Sequence, residues 1–426
     1  VDQSGDGVVL LFGSGQQQYR EYLIAGASGY RPLWLIDAVP ATWQRPYLRG
    51  SSTVPMLDPA RTEHDEPGLG RAAAAVAGTR PVLGCVTWDE GLVLATARIA
   101  QRLGLPGASA DGADACRNKH RTRQALTAAG LPQPRFALVH TVAQALAAAQ
   151  DIGYPVVLKP RGMGASIGVV RADSVGDVPA AFAVAEHGGR GGPAAYERGL
   201  LVEELVAGPE ISVDGAVTAG AYQPFFLARK ELGPAPYFEE VAHLVDGADP
   251  LLADEALLRV LAGAHRALGL RDVITHTEVR FGPAGPVVIE VNARLGGDLI
   301  PYLGQLATGI DPGRVAVEVA TGVPPALVPA RRRCAGIRFA YPPRDCRVRA
   351  VTVPAPGTVP GLAAARAMVA PGDPVLLPPR AHIGRYAYVI CTAEHPGPCR
   401  TRLDLAAARV ALDHEPLGLT LADERT

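Results

Sequence analysis

The stretch Val156-Val157-Leu158-Lys159-Pro160-Arg161-Gly162-Met163-Gly164-Ala165-Ser166-Ile167-Gly168-Val169-Val170 decides the fold. An apolar run ends in one lysine, eight residues (161–168) carry three glycines and a serine, and a second apolar run follows. This pattern predicts a strand, a glycine loop and a returning strand. Backbone amides approach a polyphosphate closely only where side chains are missing, so such a loop can fold over a nucleotide as a lid; a flexible hairpin tip explains the same glycines. No Gly-Lys-Ser/Thr follows and no helix opens there, which excludes a Walker loop. Lys159 shifts the balance toward a phosphate clamp, because the extended Val-Val-Leu run buries its stem and presents one ammonium beside the loop.

Outward from this hairpin, strand and helix alternate. Val8-Val9-Leu10-Leu11-Phe12 runs into Gly13-Ser14-Gly15, a helix is predicted over 16–25, and further strands over 33–36 and 81–86. That order predicts an open parallel sheet. The Gly-Ser-Gly turn requires no more than a tight turn. A helix over 90–104 and a turn-rich stretch at 108–112 mark a boundary. The pattern restarts with a helix over 116–130, a strand over 136–139 and a helix over 142–152. Further on, strands are predicted over 200–206 and 210–217, and a hairpin over 273–281 and 286–291 turns at Gly282-Pro283-Ala284-Gly285. The tail beyond 331 is rich in Pro and Arg, with strands expected over 335–340 and 385–391.

A chain of 426 residues should hold two to four structural units. Its net charge of −1 argues against nucleic acid or an anionic membrane surface as partner. Neither a membrane-length apolar run nor a signal-like N-terminus stands out, and the six cysteines (Cys85, Cys116, Cys334, Cys346, Cys391, Cys399) form no C-x-x-C pair. A soluble, cytoplasmic protein with reduced thiols is expected. Of 41 basic residues only Lys119, Lys159 and Lys230 are lysines. A compact ammonium suits a point contact with a phosphate oxygen where a planar guanidinium does not fit. Chance survival of three exposed lysines is the plainer account.

A second constellation lies on the predicted hairpin. Glu278 and Glu290 stand on partner strands, and Glu290, Asn292 and Arg294 follow at spacing two, which puts them on one face. Two carboxylates and an amide oxygen are hard ligands of the kind Mg²⁺ takes. A pair of surface acids with a salt-bridging arginine is the structural alternative. Lys119, with Arg123 one helical turn on, offers another basic group or a solvated helix face.

Taken in order, Lys119, the Val-Val-Leu-Lys159-Pro strand, Gly162-Met163-Gly164-Ala165-Ser166, Val202-Glu203-Glu204-Leu205-Val206 with Gly208-Pro209-Glu210, and Glu290-Val291-Asn292-Ala293-Arg294 resemble the ATP-grasp enzymes over roughly 113–330. Within that superfamily the chain is similar to the carboxylate–amine ligases that join amino acids into dipeptides. The resemblance implies an α/β fold, α+β in the ATP-grasp lobes. An N-terminal open parallel-sheet domain (1–112) would precede a small lobe with a glycine-rich lid (113–199), a large lobe with hinge and metal site (200–330) and a C-terminal lid-like extension (331–426). It implies that Lys119 and Lys159 touch the ATP phosphates, that Gly164 and Ser166 cover them, and that Glu203, Glu204 and Val206 form the adenine hinge. Glu210 would hold the ribose hydroxyls. Glu278, Glu290 and Asn292 would bind two Mg²⁺ ions, with Mn²⁺ as a substitute. Arg294 would meet the reacting carboxylate and the transferring phosphate, with Lys230 close by. Glu240 and His243 would face the amino-acid pocket. Asp298 would stand at a specificity position, its acidity suggesting an amine-bearing or basic substrate group, unless it caps the helix expected over 299–309.

The function implied is ligation of two amino acids, or an amino acid and an amine, through an acyl phosphate with release of ADP and phosphate, in an enzyme that forms homodimers. The competing readings are an ATP-grasp enzyme of another substrate class, biotin-carboxylase-like or purine-pathway, and a non-catalytic nucleotide-binding regulator.

Overall fold

The first hundred residues build a parallel sheet. In the computed structural model, which describes residues 7–55, 64–190, 192, 196, 198–233 and 235–417, β1 (Val8–Phe12), α1 (Gln17–Tyr30), β2 (Leu33–Asp37), β3 (Leu48–Thr53), α2 (Glu66–Ala77), β4 (Val82–Thr87) and α3 (Val93–Arg102) follow one another. The strands lie parallel in the order β3-β2-β1-β4. Every residue of β1 is buried, as expected of a central parallel strand covered on both faces. The Gly-Ser-Gly turn stays structural: Ser14 donates from its N–H (2.9 Å) and its hydroxyl (2.5 Å) to the Asp37 carboxylate.

The helix expected over 116–130 is two helices, α4 (Ala110–Arg117) and α5 (Lys119–Ala128). Asn118 breaks them apart with extended backbone, and its side chain accepts the His120 N–H as an N-cap. Lys119 is therefore the first residue of α5 and is buried instead of riding a solvated face. Next come β5 (Phe136–Val139), α6 (Val142–Ile152), β6 (Val156–Pro160), β7 (Val170–Ala172), α7 (Val178–Gly189) and β8 (Leu200–Glu204), with the strands antiparallel in the order β5-β8-β6-β7. Val156, Leu158, Leu200 and Val202 pack beneath α6 and α7. Strand alternation leaves Val157, Lys159 and Glu203 on the opposite face.

The remainder centres on an eight-stranded sheet. It is built from β9 (Glu210–Thr218), β10 (Ala221–Leu232), β11 (Glu240–Asp246), α8 (Glu255–Ala267), β12 (Val273–Gly282), β13 (Gly285–Asn292), α9 (Ile300–Thr308), α10 (Pro312–Ala320) and β14 (Cys334–Ala340). After these come β15 (Cys346–Thr352), β16 (Leu362–Ala367), β17 (Pro374–Val375), β18 (Ala387–Ala393), α11 (Pro396–Ala407) and β19 (Ala411–Pro416). The order β13-β12-β9-β10-β11-β14-β18-β16 carries the sheet past residue 331 without interruption, while β17-β15-β19 form a separate small sheet. α10 reaches back to the parallel sheet and crosses α1 at Gly313, where a Cβ would lie 2.0 Å from the Leu23 carbonyl.

One irregularity in the large sheet positions the site. Glu278 pairs with Glu290 but Val279 pairs with Val288, so Ile289 is an extra residue in β13. Val288 and Val291 both enter the same core. Unbroken alternation would send Glu290 to the Val288 side; the bulge turns it to the other face. All six cysteines are buried and free, distributed among the first sheet (Cys85), α4 (Cys116), the small three-stranded sheet (Cys346) and a cluster of Cys334, Cys391 and Cys399.

Candidate active site

The helix-free face of the four-stranded sheet and one face of the eight-stranded sheet enclose a cleft. Lys119, Lys159, Gly164, Ser166, Glu203, Glu204, Val206, Glu210, Glu240, Glu278, Glu290, Asn292, Arg294 and Asp298 all line it. Lys159 and Glu290, separated by 131 positions and carried by different sheets, thus share one cavity.

On the upper side, Glu203 receives Arg123 at 2.8 and 3.1 Å and Lys159 at 2.7 Å. Burial favours the neutral Glu203 carboxyl, but the two cations hold it at about 2. Burial lowers the Lys159 ammonium below its ordinary range, with Glu203 opposing. The glycine loop holds Ala165 and Ser166 at φ near +55°, outside ordinary side-chain backbone space. Lys119 donates to the Met163 carbonyl of this loop and, at 3.0 Å, to Glu290 on the floor.

The floor is a charged lattice. Lys230 contacts Glu210 at 2.7 Å, Glu240 at 2.6 Å and Glu278 at 2.9 Å. Lys230 does not itself line the cleft; the three acids it contacts do. Burial works against its charge, but the three acids hold its pKa well above the usual lysine range. Glu210 also accepts Arg280 at 2.8 Å, and Arg280 donates to the Val206 carbonyl at 2.9 Å, which ties the floor to the hinge. Glu278 is pushed up by burial and by Glu210, Glu290 and Glu240, against the pull of Lys230. Glu278 and Glu290 face each other across the hairpin, Glu278 short of positive charge, and Asn292 follows two residues after Glu290; two carboxylates and an amide oxygen fit a hard divalent cation.

His243 is likewise removed from the cleft, its Nε2 3.0 Å from Glu240 and 3.2 Å from Asp298. Asp298 caps no helix. Leu299 occupies the cap position of α9 without a side-chain bond, and Asp298 instead accepts Arg385 at 2.7 Å.

Several participants were not anticipated. His276 lines the cleft two residues before Glu278, and its Nδ1 lies 2.8 Å from the buried Asp214 carboxylate. The same Asp214 oxygen accepts the Gly296 N–H at 3.0 Å. His-Thr-Glu spacing on one strand was a legible signal for His276. Glu90, just past β4, holds Arg294 at 2.5 Å and Arg117 at 2.9 Å. Burial raises its carboxyl, but Arg294 and Arg117 bring it down to about 2. An acid at the carboxyl end of a parallel strand is a place where such sheets bind ligands, so this signal was also available. Nothing in the sequence marked Arg385 or His382.

Residues 152–302 match the ATP-grasp domain family and residues 338–415 match L-amino acid ligase C-terminal domain 2. The chain thus carries an ATP-grasp domain followed by the C-terminal domain of the L-amino acid ligases, the branch its motifs resemble. It is 30% identical over 340 residues to an uncharacterised protein of Sinorhizobium fredii, a match covering 77% of this chain and 66% of that one. To the alanine–anticapsin ligase of Bacillus subtilis it is 30% identical over 285 residues, 61% of this chain and 59% of the ligase. To carnosine synthase 1 of Gallus gallus it is 30% identical over 278 residues, 61% of this chain and 30% of the synthase. The matches thus span from under a third to about two thirds of these relatives' lengths. The crystal structure of the L-amino acid ligase from Bacillus licheniformis superposes with a TM-score of 0.76 at 20% identity, covering 97% of this chain and all of that one. Phosphoribosylglycinamide synthetase from Anaerococcus prevotii superposes at 0.69 and 15%, covering 96% and 100%. At these identities the likeness is one of fold.

Proposed function

We propose that this chain is an ATP-dependent carboxylate–amine ligase that joins two amino acids, or an amino acid and an amine, through an acyl phosphate, releasing ADP and phosphate. The observation that carries the reading is the convergence of Lys159 from one sheet with Glu290 from the other on a single cleft that also holds Arg294. A carboxylate is a poor electrophile; transfer of the γ-phosphoryl group to it creates a leaving group that an amine can displace. Lys119 and Lys159 offset phosphate charge, Gly164 and Ser166 close over it, and Arg294 orients the acceptor carboxylate. Glu203, Glu204 and Val206 border the adenine end and Glu210 the ribose. Glu278, Glu290 and Asn292 hold Mg²⁺, two ions on this reading, with Mn²⁺ as a substitute; the cation supplies charge neutralisation at the phosphates. Lys230 holds Glu210, Glu240 and Glu278 together, favours the ionised forms of Glu210 and Glu240, and opposes the upward shift of Glu278. A closed lid keeps water from the acyl phosphate.

The partition into 1–112, 113–199, 200–330 and 331–426 follows as a functional division, although the large sheet crosses the last boundary. Among the described residues no helix is long and apolar enough to cross a membrane. Cytoplasmic localisation and a homodimer complete the proposal.

ADP and phosphate release, measured with ATP, Mg²⁺ and a panel of amino acids singly and in pairs, tests it. Amino-acid-dependent ADP release is expected, with Glu290→Gln reducing it about a hundredfold or more while thermal unfolding stays cooperative. AMP and pyrophosphate as products, or full activity of Glu290→Gln, would refute the assignment.

A further inference from the structure

Glu240, Asp298, Ile300, Ile383 and Arg385 also line the cleft, and Asp298 joins Glu240, through His243, to Arg385. Both acids are already engaged. One Asp298 oxygen accepts Arg385 at 2.7 Å and the other lies 3.2 Å from His243. Glu240 is held by Lys230 at 2.6 Å and His243 at 3.0 Å.

Arg385 is fixed from every side. Its Nε donates to the Tyr341 hydroxyl at 2.8 Å, a terminal nitrogen donates to the Glu240 carbonyl at 2.9 Å, and the guanidinium lies 3.8 Å from the Phe339 ring centroid. It is only 6% exposed, yet it faces the cleft. The backbone that delivers it is pinned too: Ile383, at φ +59°, donates its N–H to Glu239 at 3.0 Å. A β-branched residue in that region persists only where its surroundings impose it.

We propose that Arg385 determines the class of amino acid admitted: it occupies Asp298 as a built-in cation, so this part of the cleft accepts uncharged side chains and rejects basic ones. This deepens the ligase reading and rests on it. A lysine or arginine side chain entering here could pair with Asp298 only by displacing a guanidinium held by three other partners. An uncharged side chain meets Ile300 and Ile383 and leaves every charge pair intact. This reading departs from the suggestion drawn from sequence, that the acid at 298 marks an amine-bearing or basic substrate group. Removing Arg385 leaves the half-buried Asp298 with His243 as its remaining partner, short of one positive charge that a cationic substrate side chain can supply.

The test measures ADP release with alanine, leucine, lysine and arginine as the varied amino acid, for the wild type and for Arg385→Ala. The wild type is expected to favour alanine and leucine, and Arg385→Ala to raise the lysine-to-alanine ratio by about tenfold or more, since breaking a buried pair usually exceeds that threshold. Free guanidinium ion should return the variant's ratio toward the wild type's. Preference of the wild type for lysine or arginine, or an Arg385→Ala enzyme that uses alanine but gains nothing with lysine, overturns the proposal. If Arg385→Ala does not fold, the uncharged pair Arg385→Met with Asp298→Leu replaces it; this double variant should remain selective for uncharged side chains, and a gain for lysine there overturns the proposal. Wild type whose ADP release is the same with and without amino acids overturns the ligase reading itself, and this proposal with it.

Discussion

Glu203 shows how a single side chain links stability to the nucleotide site. Its carboxyl titrates at about 2 in the folded protein against 4.5 when unperturbed, because Arg123 and Lys159 outweigh burial. A depressed folded-state value means that the stabilisation is complete above about pH 4.5 and is lost as pH falls toward about 2, where the unfolded chain has already taken up its proton. Thermal unfolding followed across that window should show a falling midpoint for the wild type. Glu203→Gln should be less stable near neutrality by about 3 kcal/mol, with a flatter acid limb; an unchanged acid limb would dissociate Glu203 from the effect. The sequence pointed to Glu203 only through a motif, and to Lys159 through the apolar run before it. Neither carried a sign of Arg123 as their common partner, because that contact joins α5 to β8 across 80 positions.

At the scale of elements, local patterns were legible and registers were not. The strand, loop and strand around Lys159 and the hairpin at 273–292 could be read from apolar runs and turn residues. The extra residue at Ile289 could not, since a bulge leaves no compositional mark, yet it is what turns Glu290 toward the cleft. β10 and β11 also escaped reading, so Lys230 and His243, register partners on these strands, were placed by motif alone and their absence from the cleft lining was missed. The lid has a second anchor from the far end of the chain: the Gly168 N–H donates to His382 Nε2 at 3.1 Å, and His382 Nδ1 lies 3.3 Å from Glu239. His382→Ala should raise the KM for ATP severalfold and increase ADP release without amino acid, as a looser lid admits water. His382→Gln, whose carbonyl can accept the same N–H, should recover most of the loss. Equal defects in both variants would show that the contact serves packing alone.

At the scale of the molecule, the parallel sheet reaches into the cleft formed by the other sheets. Glu90 arrives from the end of β4 to grip Arg294, itself carried just past β13. Glu90→Gln keeps the shape and removes the charge, so kcat should fall about tenfold to a hundredfold with the KM for ATP little changed, because Arg294 would lose its orientation and not its place. Steady-state kinetics decide it; an unchanged kcat would confine Glu90 to a structural role. The fold class was readable from strand and helix alternation, whereas the union of its parts around one cleft depends on contacts between residues distant in the chain. The buried thiols bring a practical dividend. Cys85, Cys116 and Cys346 belong to three different regions, and Cys334, Cys391 and Cys399 to a fourth. A maleimide dye added to the native enzyme therefore meets no ready target, and the order in which these sulfurs become labelled under rising urea would chart which region opens first, with no engineered reporter.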